Sequence, residues 1–238
     1  MTGRTLAVVP DRPTDAASSH IETASLAELR EEYTIGGLDE PDLHPDPVVM
    51  LRSWLDAAIH TKLYDPTAMV LSTVSATGRP SSRMVLLKGL TAEGLDFYTN
   101  YSSRKAEELA GQEHCAVVFP WHPLQRQVRV EGVAARLTDE ENDAYFAGRP
   151  RDSQLGAWAS PQSKVVASRE VLDRRYAEVV ARFEGGPVPR PPYWGGFRIV
   201  PDTFEFWQGR RGRLHDRFRY RRVPTTPDRP WHVERLGP

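Results

Sequence analysis

The stretch RQVRVEGVAARL, Arg126 to Leu137, decides the fold. Gln127, Arg129 and Glu131 alternate with Val128, Val130 and Gly132, so a strand here has one apolar and one polar face. A strand of that kind suits a barrel wall that lines a site. Working outward, Cys115 to Trp121 reads as the strand before it. Further upstream, Ala68 to Ser75, a turn at Ala76-Thr77-Gly78, Ser82 to Lys88, a turn at Ala92-Glu93-Gly94 and Leu95 to Thr99 have the spacing of an antiparallel meander. Downstream, Gly196 to Trp207 and Arg217 to Arg222 are expected to close the sheet, with Trp231 to Leu236 as a third candidate.

Helices interrupt the strands. Ser25 can cap a short helix reaching Tyr33, with Glu28 at the capping-box position, and Gly36-Gly37 stops it. Asp46 to His60 has Pro47 in its first turn and Val49, Leu51, Trp54, Leu55 and Ala58 as its apolar face. Ser103 to Ala110 is a short helix. Thr138 with Glu141 forms a capping box for one that reaches Phe146. Ser168 to Phe183 puts Val171, Leu172, Tyr176, Val179, Val180 and Phe183 on one face. The whole predicts one α+β domain built on an antiparallel barrel over residues 25–238, behind a mobile segment of residues 1–24 rich in Thr, Ala, Asp, Ser and Pro.

The net charge of −1 argues against a globally basic nucleic-acid binder. Cys115 is the lone cysteine, so no internal disulfide forms and no Cys/His cluster has zinc spacing. No metal is expected, and a reducing cytoplasm is the natural compartment. No apolar run approaches the roughly 20 residues that span a bilayer, and Met1 to Ser19 lacks a signal-peptide pattern.

Four clusters could carry chemistry. In RMVLLK, Arg83 to Lys88, charges close both ends of an apolar strand, which alone reads as a solvated edge. After Tyr98 and Thr99, Ser102 or Ser103 starts a helix whose first turn holds Arg104 and Lys105. Cations there oppose the helix dipole, a conflict that a bound phosphate resolves; the alternative is a solvated basic turn. In RPRDSQLGAWAS, Arg149, Arg151 and Ser153 form either a second oxyanion cradle, with Tyr145 four residues before Arg149, or an ordinary Arg-rich loop; Gln162 and Ser163 follow. The last cluster, FWQGRRGRLHDRFRYRR from Phe206 to Arg222, includes Arg213, His215 and Arg217 at alternating positions. On a strand these share one face while Leu214 and Asp216 face away. A histidine between two same-face arginines costs energy unless an anion or electron-rich ligand is present. No hydrolase elbow, P-loop, dinucleotide fingerprint or HExxH helix appears. Many cations and no strong nucleophile suit an enzyme whose cofactor does the chemistry.

RMVLLK, FYTN with SRKA, FPWH with RQVRVEG, RPRDSQLGAW, WGGFR, and FEFWQGR with RLHDR occur in this order, and together they resemble the pyridoxine/pyridoxamine 5'-phosphate oxidases over roughly residues 25–238. The resemblance implies a homodimer of split β-barrels with FMN in two clefts at the dimer interface. It implies FMN contacts at Arg83, Met84, Val85, Leu86, Leu87, Lys88, Tyr98, Thr99, Arg104, Lys105, Gln127, Gln162, Ser163, Trp207 and Arg217. It implies substrate contacts at Lys88, Tyr145, Arg149, Ser153, Arg213 and His215, and a lid at Arg30 to Tyr33 in which Glu31 replaces a commonly basic residue. The implied reaction converts pyridoxamine or pyridoxine 5'-phosphate to pyridoxal 5'-phosphate by hydride transfer to flavin N5, with dioxygen reduced to hydrogen peroxide. Arg213 would orient the ring and stabilise developing charge, and His215 would hydrogen-bond the reacting group or assist its deprotonation. The rivals are a flavin or deazaflavin enzyme for another substrate on the same barrel, a non-catalytic flavin or heme binder, and a nucleic-acid binder using residues 210–222.

Overall fold

A computed structural model describes residues 32–223 and 230–238. The expectations for residues 1–24, for the helix starting at Ser25 and for Arg30 and Glu31 lie outside the described residues; Tyr33, its expected last residue, is not helical. The alternation read first in the sequence forms β6 (Arg126–Arg136). Val128 and Val130 are fully buried, while Gln127, Arg129 and Glu131 are half-buried on the other face. On one side β6 pairs antiparallel with β5 (His114–Trp121), and on the other with β7 (Trp194–Gln208).

The remaining strands are β1 (Ala68–Val74), β2 (Pro80–Leu86), β3 (Gly89–Thr91), β4 (Gly94–Asn100), β8 (Asp216–Arg222) and β9 (Trp231–Leu236). Their order is β2-β1-β5-β6-β7-β4-β3. The two ends of that order belong to one stretch of chain, because β3 follows β2 after two linking residues. The Leu87 N–H donates to the Thr67 carbonyl at 2.9 Å, and the next amide, Lys88 N–H, donates to Asp96 at 2.8 Å. The segment 80–91 thus pairs first with the β1 side and then with β4, and the sheet curls into a barrel. This corrects the expected meander, since β4 lies beside β7 and not beside β2. Of the expected closing strands, β7 does join the ring, between β6 and β4, whereas β8 and β9 do not. β8 pairs with the second half of β7, and β9 pairs with β8 alone, extending the sheet away from the ring. The long β7 serves both purposes: residues 194–199 pair with β4 and 203–208 with β8. A bulge between Glu131 and Gly132 marks the change. Gly132 is required there because a Cβ would run into the Val200 carbonyl oxygen.

Inside the barrel, Met69, Leu71, Leu95, Phe97, Val117, Phe119, Val128, Val130, Ile199, Phe204 and Phe206 are fully buried. Each contributes about 1.5–3 kcal/mol by leaving water. α1 (Pro47–His60) joins this core. The Asp46 carboxylate caps it by accepting from Val48 N–H at 2.8 Å, and Trp54 meets Phe206 edge-on. Its buried face is Val48, Met50, Leu51, Trp54, Leu55 and Ala58, whereas Val49, expected inside, is exposed.

Four more helices follow: α2 (Arg104–Gly111), α3 (Asp139–Ala147), α4 (Arg151–Ala159) and α5 (Arg169–Arg182). The Thr138/Glu141 capping box forms as expected. α4 was not foreseen; it starts directly after Pro150, which fixes the entry angle. Phe146, Leu155, Val188 and Trp194 make a second core, with Tyr176, Val179 and Phe183 against it. α5 buries none of its residues completely, and Val180 of its expected apolar face is exposed.

Candidate functional site

A cavity of about 330 Å³ opens where β2, β4, α2 and the α3–α4 connection meet. It gathers Arg83, Met84, Val85, Leu86, Lys88, Tyr98, Thr99, Lys105, Tyr145, Arg149 and Gln162 from the sequence reading, and Trp194, which that reading missed. Strand alternation explains the β2 contribution. Arg83 and Val85 lean toward the barrel, whereas Met84 and Leu86 are exposed on the other face. Leu87 is buried in the core, so its main chain is what it can offer a ligand.

Two cations in this cavity lack the partner that burial demands. Lys105 is 8% exposed, and its Nζ meets Thr99 Oγ1 at 3.1 Å, Ser103 Oγ at 3.3 Å and Gln162 Oε1 at 2.8 Å. All three are neutral, and among the described residues Lys105 forms no ion pair. Burial, reinforced by Arg83, pulls the ammonium down to about 8. Arg149 Nη1 is buried with no hydrogen-bond partner among the described residues. Its guanidinium lies 4.4 Å from the Trp194 ring centroid, and burial lowers its pKa. Buried polar groups are almost always satisfied, so an unsatisfied guanidinium nitrogen facing a cavity signals a missing acceptor.

Arg83 and Arg104 are held from behind by Glu108. The Glu108 carboxylate accepts from Thr73 Oγ1 at 2.5 Å, Ser81 Oγ at 2.7 Å, Arg83 Nη2 at 3.2 Å and Arg104 Nε at 2.8 Å. Burial alone would raise that carboxyl, but the hydroxyls of Ser81 and Thr73 and the Arg104 guanidinium outweigh it and hold it at about 2. Tyr98, Tyr145 and Trp194 are near-parallel, with the two tyrosine centroids 3.7 Å apart. The expected helical link between Tyr145 and Arg149 is absent, because α3 stops at Ala147; both side chains still line the cavity.

A second group forms on the far side of the sheet order. Gln127 lies opposite Trp207, and Trp207 opposite Arg217, so the three make one row across β6, β7 and β8. His215 sits 4.6 Å from Trp207 and 5.2 Å from Tyr33 between ring centroids, and the Arg213 guanidinium lies 5.2 Å from the Tyr33 ring. Arg213 and His215 are not on the strand. Gly212 and Arg213 both have left-handed backbone, φ 64° and 63°, and β8 begins only at Asp216. The expected same-face trio is therefore a turn followed by a strand. Asp216, expected outside, is buried, while Leu214 is exposed as expected. Arg217 donates to both carboxylate oxygens of Glu205, at 3.0 and 3.1 Å, and to the Gly237 carbonyl at 2.9 Å.

The Arg210 N–H donates to His215 Nδ1 at 3.1 Å. A neutral imidazole accepting at Nδ1 carries its proton on Nε2. Burial and Arg213 lower the His215 pKa against the opposing effect of Asp216. Ser153, Ser163 and Arg104 do not line the cavity; Ser153 is in the first turn of α4, Ser163 has φ 66°, and Arg104 turns to Glu108. Besides Trp194, the sequence reading missed Glu108, Glu205, Asp216 and Arg210, which hold the expected residues in place. Acids inside basic runs were the available signal.

Residues 55–183 match the family model described as pyridoxamine 5'-phosphate oxidase, and residues 194–238 match the pyridoxine 5'-phosphate oxidase C-terminal dimerisation region. A pyridoxine/pyridoxamine 5'-phosphate oxidase of Rubrobacter xylanophilus is 56% identical over 83% of this chain and 91% of its own. The Thermobifida fusca protein of the same name is 55% identical over 89% of this chain and 97% of its own. Among solved structures, PhzG from Burkholderia lata 383, in complex with tetrahydrophenazine-1-carboxylic acid, superposes with a TM-score of 0.80 at 31% identity, covering 87% of this chain and 100% of that one. Over most of its length, then, and in both halves of its barrel, this chain belongs to the pyridoxamine 5'-phosphate oxidase family.

Proposed function

We propose that this oxidoreductase converts pyridoxamine and pyridoxine 5'-phosphates to pyridoxal 5'-phosphate, using FMN and dioxygen. The observation that carries the reading is the pair of desolvated cations, Lys105 and Arg149, that share one cavity and have no carboxylate partner among the described residues. Two separate cation sites fit two phosphates, one of the cofactor and one of the substrate. Arg83, Lys105, Thr99 and Gln162 would hold the FMN phosphate end, with Arg104 at its rim. Bound FMN supplies a two-electron acceptor for the hydride leaving the substrate C4' carbon, and dioxygen takes those electrons to become hydrogen peroxide.

Arg149, stiffened by Trp194 and flanked by Tyr145, anchors the substrate phosphate and so fixes the ring in the cleft. His215 serves as a donor. With Nδ1 occupied by the Arg210 N–H and a pKa below the ordinary histidine value, it is neutral at pH 7 and offers Nε2–H to the reacting amine or alcohol. Arg213 supplies positive charge beside it. The Tyr33, Trp207, His215 and Arg213 group does not line the cavity of its own chain. Because Trp207, Arg213 and His215 lie within the matched dimerisation region, we assign the group to the cavity of a second copy, giving a homodimer with two composite sites.

The test is direct. Purified protein should bind FMN, turn yellow, and bleach when pyridoxamine 5'-phosphate is added without oxygen. With oxygen, pyridoxal 5'-phosphate, ammonia and hydrogen peroxide should form in equal amounts from the amine. Protein that cannot be reconstituted with FMN sinks the reading. Turnover of a reduced phenazine carboxylate without turnover of the B6 phosphates would move the chain toward the PhzG type.

A further inference from the structure

The segment Tyr33–Leu38 is fastened to the Arg210–His215 turn at one buried carboxylate. Asp216 is 5% exposed. Its Oδ2 accepts the Leu38 N–H at 2.9 Å and also Arg210 Nε, and its Oδ1 accepts Arg235 Nη1 at 2.8 Å. Asp39 bridges the same two arginines, at 3.0 and 2.9 Å, and Glu40 takes a further ion pair from Arg235. Burial works against the Asp216 charge, yet the Leu38 N–H and the two guanidinium groups leave its pKa below the ordinary value.

Three further bonds lay the segment down. Gln125 Oε1 accepts from Thr34 N–H at 2.9 Å and Ile35 N–H at 3.0 Å, and Gln208 Nε2 donates to the Ile35 carbonyl at 3.1 Å. A glycine on each side permits the approach. A Cβ on Gly37 would overlap the Arg210 guanidinium, and one on Gly209 would stand 2.7 Å from the Tyr33 ring. The outcome is Tyr33 edge-on against both His215 and Trp207.

We propose that Asp216 is a positioning residue for the reaction, acting on His215 through Arg210 and on Tyr33 through Leu38. Its carboxylate fixes the Arg210 side chain, and the Arg210 main-chain N–H fixes the His215 ring and its Nε2–H tautomer. The same carboxylate ties the main chain five residues after Tyr33, so the ring partner of His215 is set by the group that sets its tautomer. Among the described residues Arg213, Tyr33 and Trp207 also face the histidine, and the Asp216 charge opposes the effect of Arg213 on it. The catalytic part of this proposal rests on the reading that His215 meets substrate; the structural link does not.

The experiment uses full-length holoenzyme and Asp216→Asn, with Arg210→Lys as a second variant that keeps Asp216 bonded to Arg235 and Leu38. Imidazole nitrogen NMR, with the His215 signals identified from their loss in His215→Gln, should show an unprotonated Nδ1 and a protonated Nε2 in the wild type. Both variants should show averaged tautomers. Amide exchange over residues 33–38 should quicken in Asp216→Asn. kcat/KM for pyridoxamine 5'-phosphate should fall ~10- to 100-fold while FMN affinity stays unchanged. If Asp216→Asn does not fold, Arg210→Lys is judged by the same tautomer and kcat/KM changes. A wild-type His215 protonated on Nδ1, or variants with wild-type tautomer and wild-type kcat/KM, overturns the proposal. A wild-type enzyme that forms no pyridoxal 5'-phosphate sinks the functional reading instead, and the NMR and exchange results then decide the structural link alone.

Discussion

Replacing Glu108 by Gln removes a negative charge on which four donors converge, and its cost can be worked from the site. The Glu108 carboxyl is held at about 2 against an ordinary value of 4.5. A shift of that size, at about 1.4 kcal/mol per unit, corresponds to about 3 kcal/mol of stability at neutral pH. The sign follows from the depressed folded-state value. The contribution is complete above the unfolded carboxyl's pKa of 4.5 and is lost as pH falls toward 2. Gln keeps a carbonyl acceptor for the hydroxyls but leaves Arg83, whose side chain is 20% exposed, short of its counter-charge. Arg104, 60% exposed, loses little. The expected loss is therefore about 2–3 kcal/mol at pH 7, a fall of roughly 5–10 °C in Tm for a chain of this size. Urea unfolding of apoprotein at one fixed protein concentration reads it, since dimer and flavin both shift apparent stability. The gap between wild type and variant should narrow steadily below about pH 4.5. A variant within about 0.5 kcal/mol of wild type at pH 7, or a gap that does not change with acid, refutes the reasoning.

Other outcomes follow from the same cavity. Lys105→Met should weaken FMN binding ~10- to 100-fold, as read by quenching of flavin fluorescence, because a charged hydrogen-bond donor is lost. In the wild type, FMN affinity should decline as pH rises past about 8, where free Lys105 gives up its proton; affinity that is flat to high pH contradicts the assignment. Arg149→Met should raise KM for pyridoxamine 5'-phosphate far more than it lowers kcat, and steady-state kinetics on holoenzyme checks the split. Gly209→Ala puts a methyl 2.7 Å from the Tyr33 ring, so catalytic efficiency should drop with little change in Tm; unaltered kinetics would show that Tyr33 does not matter where it lies.

Most of the sheet was legible because burial imposes a period of two on a half-buried strand. β6 and β9 emerged close to their predicted bounds for that reason. Partnership was less legible. Nothing in the 80–91 segment announces that it pairs with two different strands, because that depends on curvature accumulated over the whole ring. α4 was missed since its charged first turn, Arg151 and Asp152, and its single buried residue, Leu155, leave little amphipathic signal. In the cavity, the cations at Arg104 and Lys105 were readable as an anomaly of helix electrostatics, but their separate fates were not. Arg104 finds a carboxylate four residues on, and Lys105 finds only neutral oxygens.

The Arg213–Arg217 run shows what decides such cases. Alternation presumes extended backbone, and two consecutive left-handed residues, Gly212 and Arg213, break it. The face assignment for the acid then inverts. A carboxylate amid seven arginines could have been a surface counter-ion worth little. Buried, with two guanidinium groups and an amide on its oxygens, Asp216 instead constrains three pieces of chain at once: the 33–38 segment, the turn before His215, and β9 through Arg235. Its burial is costly for a charge and is compensated only if all three pieces arrive together. The turn bearing Arg213 and His215 is thereby tied to the segment bearing Tyr33, and the geometry around the histidine depends on an acid that reaches the imidazole's hydrogen bond through Arg210.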